Sequence, residues 1–338
     1  MGIFTEEIAI DLGTANTLII HNDKVVINSP SIVAIDRVTN KIIAIGDEAN
    51  IMQGKTHENI KTIRPLKDGV IADFDVCEKM LRYFLQQVHS RRWAKPRMVI
   101  CVPSGVTGVE RRAVQEAAEH AGARSPAYII EEPMAAAIGA GLPIAEPTGS
   151  MVVDIGGGTT EVAMISLGGI VANQSIRIAG NELDEAIIQH LKQEHGVAVG
   201  IRTAENIKMK LGSAYPLEKE LVAEVNASDL STGLPRTVNF TTTEIREAMA
   251  FPLMAIIDAI KVTLDSTPPE LAADVMERGV VLTGGGALLV GLVERLTEEI
   301  GMKVLIAPDP LNSVVLGAGK ALEEIDRFGT IFFGSNQE

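Results

Sequence analysis

Cysteine is scarce: Cys77 and Cys101 are the only two in 338 residues, so neither a disulfide framework nor a cysteine metal site is expected, and a reducing cytoplasm is the natural compartment. Positive charge is also short. Thirty Lys and Arg face 44 Asp and Glu, a net charge of -14, which argues against nucleic-acid binding, because that grip neutralises phosphates. Long apolar runs are missing too. The longest nearly uncharged stretch, Pro133 to Ala145, is interrupted by Pro and Gly and is too short to span a bilayer. Six histidines are scattered without an HExxH or His-carboxylate pattern, so no transition-metal site is expected. Nothing at the N-terminus reads as a secretory signal, and Glu6 stands where N-myristoylation wants Ser or Thr. With 46% hydrophobic residues, the chain can still bury a large core in two or three lobes.

What is present is organised around Gly149 to Glu161. Met151, Val152 and Val153 read as a buried strand with Asp154 at its mouth, followed by Gly156, Gly157, Gly158, Thr159 and Thr160. The glycines permit a tight turn with exposed N–H groups, the hydroxyls add donors, and the carboxylate suits a hydrated magnesium ion. A phosphate cradle and an ordinary glycine turn both fit that pattern.

The pattern is repeated. Ile8 to Thr17 again gives three apolar residues, Asp11, an apolar residue, Gly13, then hydroxyl and amide side chains. The strand Val99 to Pro103 and helical run Val109 to Ala121 are answered by Val280 to Thr283, the Gly284-Gly285-Gly286 turn and the helical run Leu288 to Ile300. Gly139-Ala140-Gly141 is answered by Gly317-Ala318-Gly319. Three matched features in one order predict an internal duplication.

Other segments have readings of their own. Residues 8 to about 46 alternate apolar runs and turns, predicting an antiparallel meander; the pattern then loosens between Asp47 and Lys67. Met80 to Val88 has helical spacing. Glu131-Glu132-Pro133 precedes the helix Met134 to Ala140, so its carboxylates either aim at a reacting water or favour the helix dipole. Gly180 to Gln193 reads as a helix with Asp184 in its first turn, and Thr203 to Lys210 as another capped by Thr203, with Glu205 and Lys208 sharing a face as a surface ion pair. Pro216 to Thr243 is strand-like. Ser90 to Arg97 packs four cations around Trp93, the composition either of an interfacial membrane anchor or of a loop tryptophan folded back on the core. Ile3, Phe4, Phe328, Ile331, Phe332 and Phe333 either extend such a surface or staple the termini to the core.

Two Asp-bearing hairpins, a late Gly-Gly-Gly turn and paired Gly-Ala-Gly helices resemble the actin superfamily, which also holds sugar kinases and the seventy-kilodalton chaperones. Asp11 to Thr17, Arg64 to Asp73, Glu131 to Ala137 and Leu282 to Leu288 resemble the MreB family of bacterial actins, with landmarks from residue 8 to about 322. The resemblance implies an α/β actin-like ATPase fold: two duplicated ribonuclease-H-like lobes around a nucleotide cleft, each with a small outer subdomain. Lobe I would take 1–146 and 314–338 (outer part about 33–66), and lobe II 147–313 (outer part about 181–243).

The implied cofactors are ATP and Mg2+. Asp11 and Asp154 would hold the metal; Gly13, Thr14, Ala15, Asn16, Gly156, Gly157 and Gly158 would clamp the phosphates. Glu132, with Asp154, would be catalytic and orient the attacking water, Glu131 being the runner-up. Glu205, Asn206, Ile207 and Lys208 would meet the ribose and base, while Gly284, Gly285, Gly286 and Ala287 would lie against adenine. The resemblance also places Trp93 at the membrane. It implies slow ATP hydrolysis, head-to-tail self-assembly into filaments at the inner face of the cell membrane, partners in the cell-elongation machinery, and a role in cell-wall synthesis and rod shape. A small-molecule kinase of the same superfamily is the alternative; it would need an acceptor pocket and a catalytic carboxylate that the sequence does not display.

Overall fold

The computed structural model describes residues 6–88 and 95–333, so Ile3, Phe4 and Trp93 lie outside the described residues. In the first lobe β1 (Glu7–Leu12), β2 (Asn16–His21) and β3 (Lys24–Pro30) form an antiparallel meander. The chain then leaves this sheet. β4 (Val33–Asp36) instead lies between β5 (Ile42–Ile45) and β6 (Ile60–Ile63) in a separate three-stranded sheet. The single meander expected over 8 to 46 therefore breaks after Pro30, which has no N–H with which to continue a ladder. The polar stretch after Asp47 is also more ordered than its composition suggests, holding helix α1 (Asp47–Met52) and β6.

A small hairpin follows, β7 (Leu66–Lys67) and β8 (Val70–Ile71), turned by Asp68 and Gly69 at φ 50° and 76°. Helix α2 (Phe74–Val88) buries Val76, Cys77, Met80, Leu81, Phe84 and Leu85, one stripe at helical spacing. Then come β9 (Arg97–Val102), α3 (Gly108–Ala121), β10 (Tyr128–Glu131) and α4 (Glu132–Gly139). Thr107 and Glu110 start α3 with a reciprocal capping box. β9 and β10 add in parallel beside β1, giving the order β10-β9-β1-β2-β3.

The second lobe repeats this plan. β11 (Ser150–Ile155), β12 (Thr160–Ser166) and β13 (Gly169–Ile176) form the meander; α5 (Gly180–His195), β14 (Val197–Ala198), α6 (Ile201–Leu211), β15 (Val222–Asp229), β16 (Pro235–Thr241), α7 (Thr242–Ala248), α8 (Ala250–Asp265) and α9 (Pro269–Arg278) follow. β17 (Val280–Thr283), α10 (Leu292–Ile300) and β18 (Val304–Ile306) complete it, and α11 (Ser313–Glu323) returns to pack on β1, β2 and β9 of the first sheet. The large sheet runs β13-β12-β11-β17-β18, with β17 and β18 parallel to β11, and β14-β15-β16 form the second small sheet. The internal duplication is thus present in strand order and sense alike.

Three boundaries differ from expectation. α10 begins at Leu292 and not at Leu288, because Gly285–Leu288 is a separate 3-10 turn and Gly291 adopts φ 74° before the helix. α6 is entered two residues earlier than Thr203, with Gly200 at the cap position. Asp184 lies in the second turn of α5, and Glu182 occupies the first, accepting the Ala179 N–H at 2.8 Å.

α4 and α11 lie between the two large sheets. One buried cluster joins Ala9, Leu18, Ile20 and Val99 of the first sheet to Val152, Ala163 and Ile165 of the second, through Ala135, Ala136, Val315 and Ala318. Strand alternation makes the division: Ile8 and Ile10 face the first lobe's own core, Met151 and Val153 the second's, while Ala9 and Val152 face the shared helices. Phe328 and Phe332 are buried in the same shared cluster, so these two aromatics staple the C-terminal segment to the core.

Candidate active site

The β1–β2 and β11–β12 turns meet face to face. A Cβ on Gly157 would stand 2.5 Å from Ala15 Cβ, and one on Gly158 2.8 Å from Thr14 Oγ1. These glycines are therefore demanded by the opposing hairpin, a reason beyond the close approach of an anion that the sequence suggests. Asp11 and Asp154 end the two central strands beside this contact. Burial raises Asp11 to about 7, with the Asp154 charge adding to the effect. Burial raises Asp154 to about 6, against the pull of Thr283 Oγ1, which donates to Oδ1 at 2.8 Å.

Glu132 opens α4 and is 7% exposed. Its carboxyl is pushed well above the usual range by burial, then by Asp11, Glu161 and Asp154. Glu131 behaves differently: burial raises it and Arg111 opposes, with none of these carboxylates acting on it. The structure thus groups Glu132, and not the runner-up, with the two aspartates. Glu161 is a member that sequence reasoning missed. It is fully buried on β12 opposite Asp154, raised to about 7 by burial, and accepts Ser104 N–H at 3.0 Å and the hydroxyls of Ser104 and Ser175 at 2.5 Å. Its signal was available, since a Glu interrupts an apolar strand there.

Asp11, Glu132 and Asp154 crowd together, and no Lys or Arg is among the groups that perturb them. Such a cluster fits a divalent cation. Among the described residues no three His, Cys, Asp or Glu side chains form a direct ligand set; magnesium generally keeps several waters and binds through one or two carboxylates.

The nucleoside side divides. Glu205 and Asn206 are exposed on α6. Ile207 is 3% exposed and packs in the second lobe's core, so its side chain is not at a cleft surface. Lys208 does not pair with Glu205: its Nζ lies 2.8 Å from Asp184 Oδ1 and donates to Gly180 O at 2.8 Å, because the i, i+4 face of α6 rests on α5. Gly284 (φ 77°) and Gly286 pack against Ile155, Ala287 is buried, and Gly285 is exposed at the turn. The fold does bring two histidines to one carboxylate: His190 Nε2 is 3.4 Å from Glu244 Oε1, and His195 Nε2 bonds to the same oxygen. This contact joins α5 to α7, elements distant in sequence.

Comparison with known proteins accords with this geometry. Residues 5–330 match the family model described as MreB/Mbl protein. The cell shape-determining protein MreB of Escherichia coli (strain K12) is 53% identical over 339 residues, covering 98% of this chain and 97% of that protein. Mbl of Bacillus subtilis (strain 168), also named a cell shape-determining protein, is 46% identical over 327 residues, covering 96% and 98%. Among solved structures, MreB5 of Spiroplasma citri bound to AMPPNP superposes with a TM-score of 0.92 at 36% identity, covering 96% of this chain and 98% of that one. A MamK double helical filament, at 22% identity and TM-score 0.81 over 94% and 98% of the two chains, shares the fold. Over nearly its whole length, in sequence and in fold, the chain belongs to the MreB/Mbl family of actin-like proteins.

Proposed function

We propose that this protein is a slow magnesium-dependent ATPase that polymerises head to tail into filaments at the cytoplasmic face of the cell membrane and, through them, directs cell-wall synthesis and rod shape. The observation that carries the reading is the meeting of buried Glu132 and Asp154 with half-buried Asp11 at two glycine hairpins that touch each other. The names of the relatives, the AMPPNP- and ADP-bound neighbours and the MamK filament support it.

Asp11 and Asp154 would hold a magnesium ion, which would supply positive charge to the terminal phosphates. Backbone N–H groups of residues 13–16 and of Gly157 and Gly158 clamp the phosphates and fix their orientation, while the Gly156 N–H is taken by Thr159 O. Glu132 accepts a hydrogen bond from the attacking water and aligns it. Glu205, Asn206 and Lys208 line the nucleoside's side of the cleft, and Gly285 offers its open face to adenine. Without a strong base, turnover is slow and the nucleotide acts as a timer. Trp93, among the cations of residues 91–97, makes the membrane contact, and membrane proteins of the elongation machinery are the partners. Among the described residues no helix is long and apolar enough to cross a membrane. The relatives are named for cell shape, which removes the reason for the kinase reading.

The test is sedimentation with and without Mg-ATP and anionic liposomes, with electron microscopy of the pellets. Nucleotide-dependent filaments lying on lipid are expected. A protein that binds ATP yet remains monomeric at all concentrations would overturn the polymer.

A further inference from the structure

Three consecutive carbonyls of the first hairpin are held from behind. Ser31 Oγ donates to Gly13 O at 2.6 Å. Arg64 Nη1 reaches Thr14 O at 3.4 Å and Ala15 O at 3.1 Å, and Ser31 N–H also donates to Ala15 O, at 2.9 Å. Ser31 is fully buried, and its hydroxyl is paired with Thr17 Oγ1 at 2.9 Å, so its position is constrained twice. Arg64 enters from the segment after β6. Burial lowers its pKa, opposed in part by the Glu205 and Asp184 carboxylates of the second lobe, and a guanidinium stays charged at physiological pH in any case.

A trans peptide points its C=O and the next residue's N–H in opposite directions. Anchoring the carbonyls of Gly13, Thr14 and Ala15 on one side therefore turns the N–H groups of Thr14, Ala15 and Asn16 to the other. Among the described residues, neither the Thr14 nor the Ala15 N–H has a protein acceptor. Three parallel amides with no carbonyl between them make an anion-binding concavity. Left untethered, a turn of this kind can rotate a peptide plane and present an oxygen to the phosphate instead.

We propose that Ser31 and Arg64 are positioning residues for phosphate binding: they hold the three carbonyls of the first hairpin away from the cleft, so that its amides face the polyphosphate. This rests on the nucleotide reading above and adds two residues outside the glycine motifs to it.

The test compares Mg-AMPPNP with adenosine, each titrated by calorimetry into the full-length wild type and into Ser31→Ala, Ser31→Thr, Arg64→Met and Arg64→Lys. Removing one charge-assisted or buried bond of this kind costs about tenfold or more in affinity. Ser31→Ala and Arg64→Met should lose at least that for AMPPNP and keep their adenosine affinity, since adenosine carries no phosphate. Ser31→Thr, which keeps the hydroxyl, should restore most of the loss, and Arg64→Lys only part. Wild-type AMPPNP affinity in both Ser31→Ala and Arg64→Met would overturn the proposal, and so would equal losses for both ligands, which mark a general structural defect. Should Ser31→Ala fail to fold, the Arg64 variants carry the same comparison. Failure of the wild type itself to bind AMPPNP would instead overturn the nucleotide reading, and the proposal with it.

Discussion

Gly139 and Gly317 meet where α4 crosses α11, so closely that a Cβ on Gly317 would stand 2.7 Å from the Gly139 nitrogen and nearer still to the carbonyl of Ala135. The relationship is reciprocal: a Cβ on Gly139 would stand 3.0 Å from the Gly317 nitrogen and collide with the carbonyl of Ser313. Backbone meets backbone there, in the middle of the core that both lobes share.

Gly317→Ala should therefore lower stability by about 1–3 kcal/mol or more, as overpacking of a close-packed site does. Two residues on, a Cβ at Gly319 finds its nearest neighbour, Ile20 Cγ2, at an ordinary 3.4 Å. Gly319→Ala should be neutral or gain about 0.5–1 kcal/mol from helix propensity. Urea unfolding of the two variants checks the contrast, and equal effects would remove the crossing as its cause.

Asp11 and Glu161 are raised to about 7 and Asp154 to about 6, all chiefly by burial. Between the ordinary carboxyl range and about pH 7, the folded protein without metal holds more protons than the unfolded chain, so its stability should fall as pH rises, by up to about 1.4 kcal/mol per unit for each group. A divalent cation should reverse this, stabilising the protein more at about pH 8 than at about pH 5. Denaturation across that range with chelator or with magnesium measures both slopes. A magnesium effect that is the same at both ends would contradict the cluster's charge assignment.

The Lys208–Asp184 pair is largely buried, its side chains 17% and 5% exposed, and burial raises Asp184 to about 6 against the pull of Lys208. Lys208→Met should cost about 3–5 kcal/mol, because it leaves a buried carboxylate without its partner. Glu205→Gln, at an exposed position, should change stability by less than about 0.5 kcal/mol. If the two variants unfold alike, Lys208 is a surface residue and its contact with α5 is dispensable.

Glu132→Gln keeps the side chain's size and removes one of several crowded carboxylates, so the variant should fold at least as stably as the wild type. Loss of the group that aligns the water should reduce phosphate release by about 100-fold or more while leaving nucleotide affinity close to normal. Single-turnover hydrolysis and equilibrium binding separate the two quantities. Unchanged turnover would take Glu132 out of the mechanism.

Much of this was legible in the chain because its signals are local. The runs Ile8-Ala9-Ile10-Asp11 and Met151-Val152-Val153-Asp154 predict strands with a carboxylate at the mouth, and they form β1 and β11 with Asp11 and Asp154 near their ends. The repeated order of strand, glycine turn and helix predicts a duplication, and the two large sheets share one strand order. Glu132 joins Asp11 and Asp154; its place after a strand and before Pro133 leaves two readings open, and the family resemblance points to it. Turn glycines, strand alternation and helical spacing depend on neighbours within a few residues, so sequence alone determined the elements, their repetition and the aspartates at their ends.

Contacts between distant segments were decided only by the tertiary structure. Nothing near Lys208 in the chain indicates that its partner is Asp184 and not Glu205; the packing of α6 on α5 selects it. Glu161 reads as an anomaly in an apolar strand until Ser104, from the other lobe, closes on it. Ser31 carries no motif and Arg64 opens one to which the sequence attaches no role, and only the fold brings both to the back of one turn. His190, His195 and Glu244 converge for the same reason. A hydrogen bond or ion pair requires atoms within a few ångströms, and sequence spacing conveys that proximity only inside one helix, strand or turn.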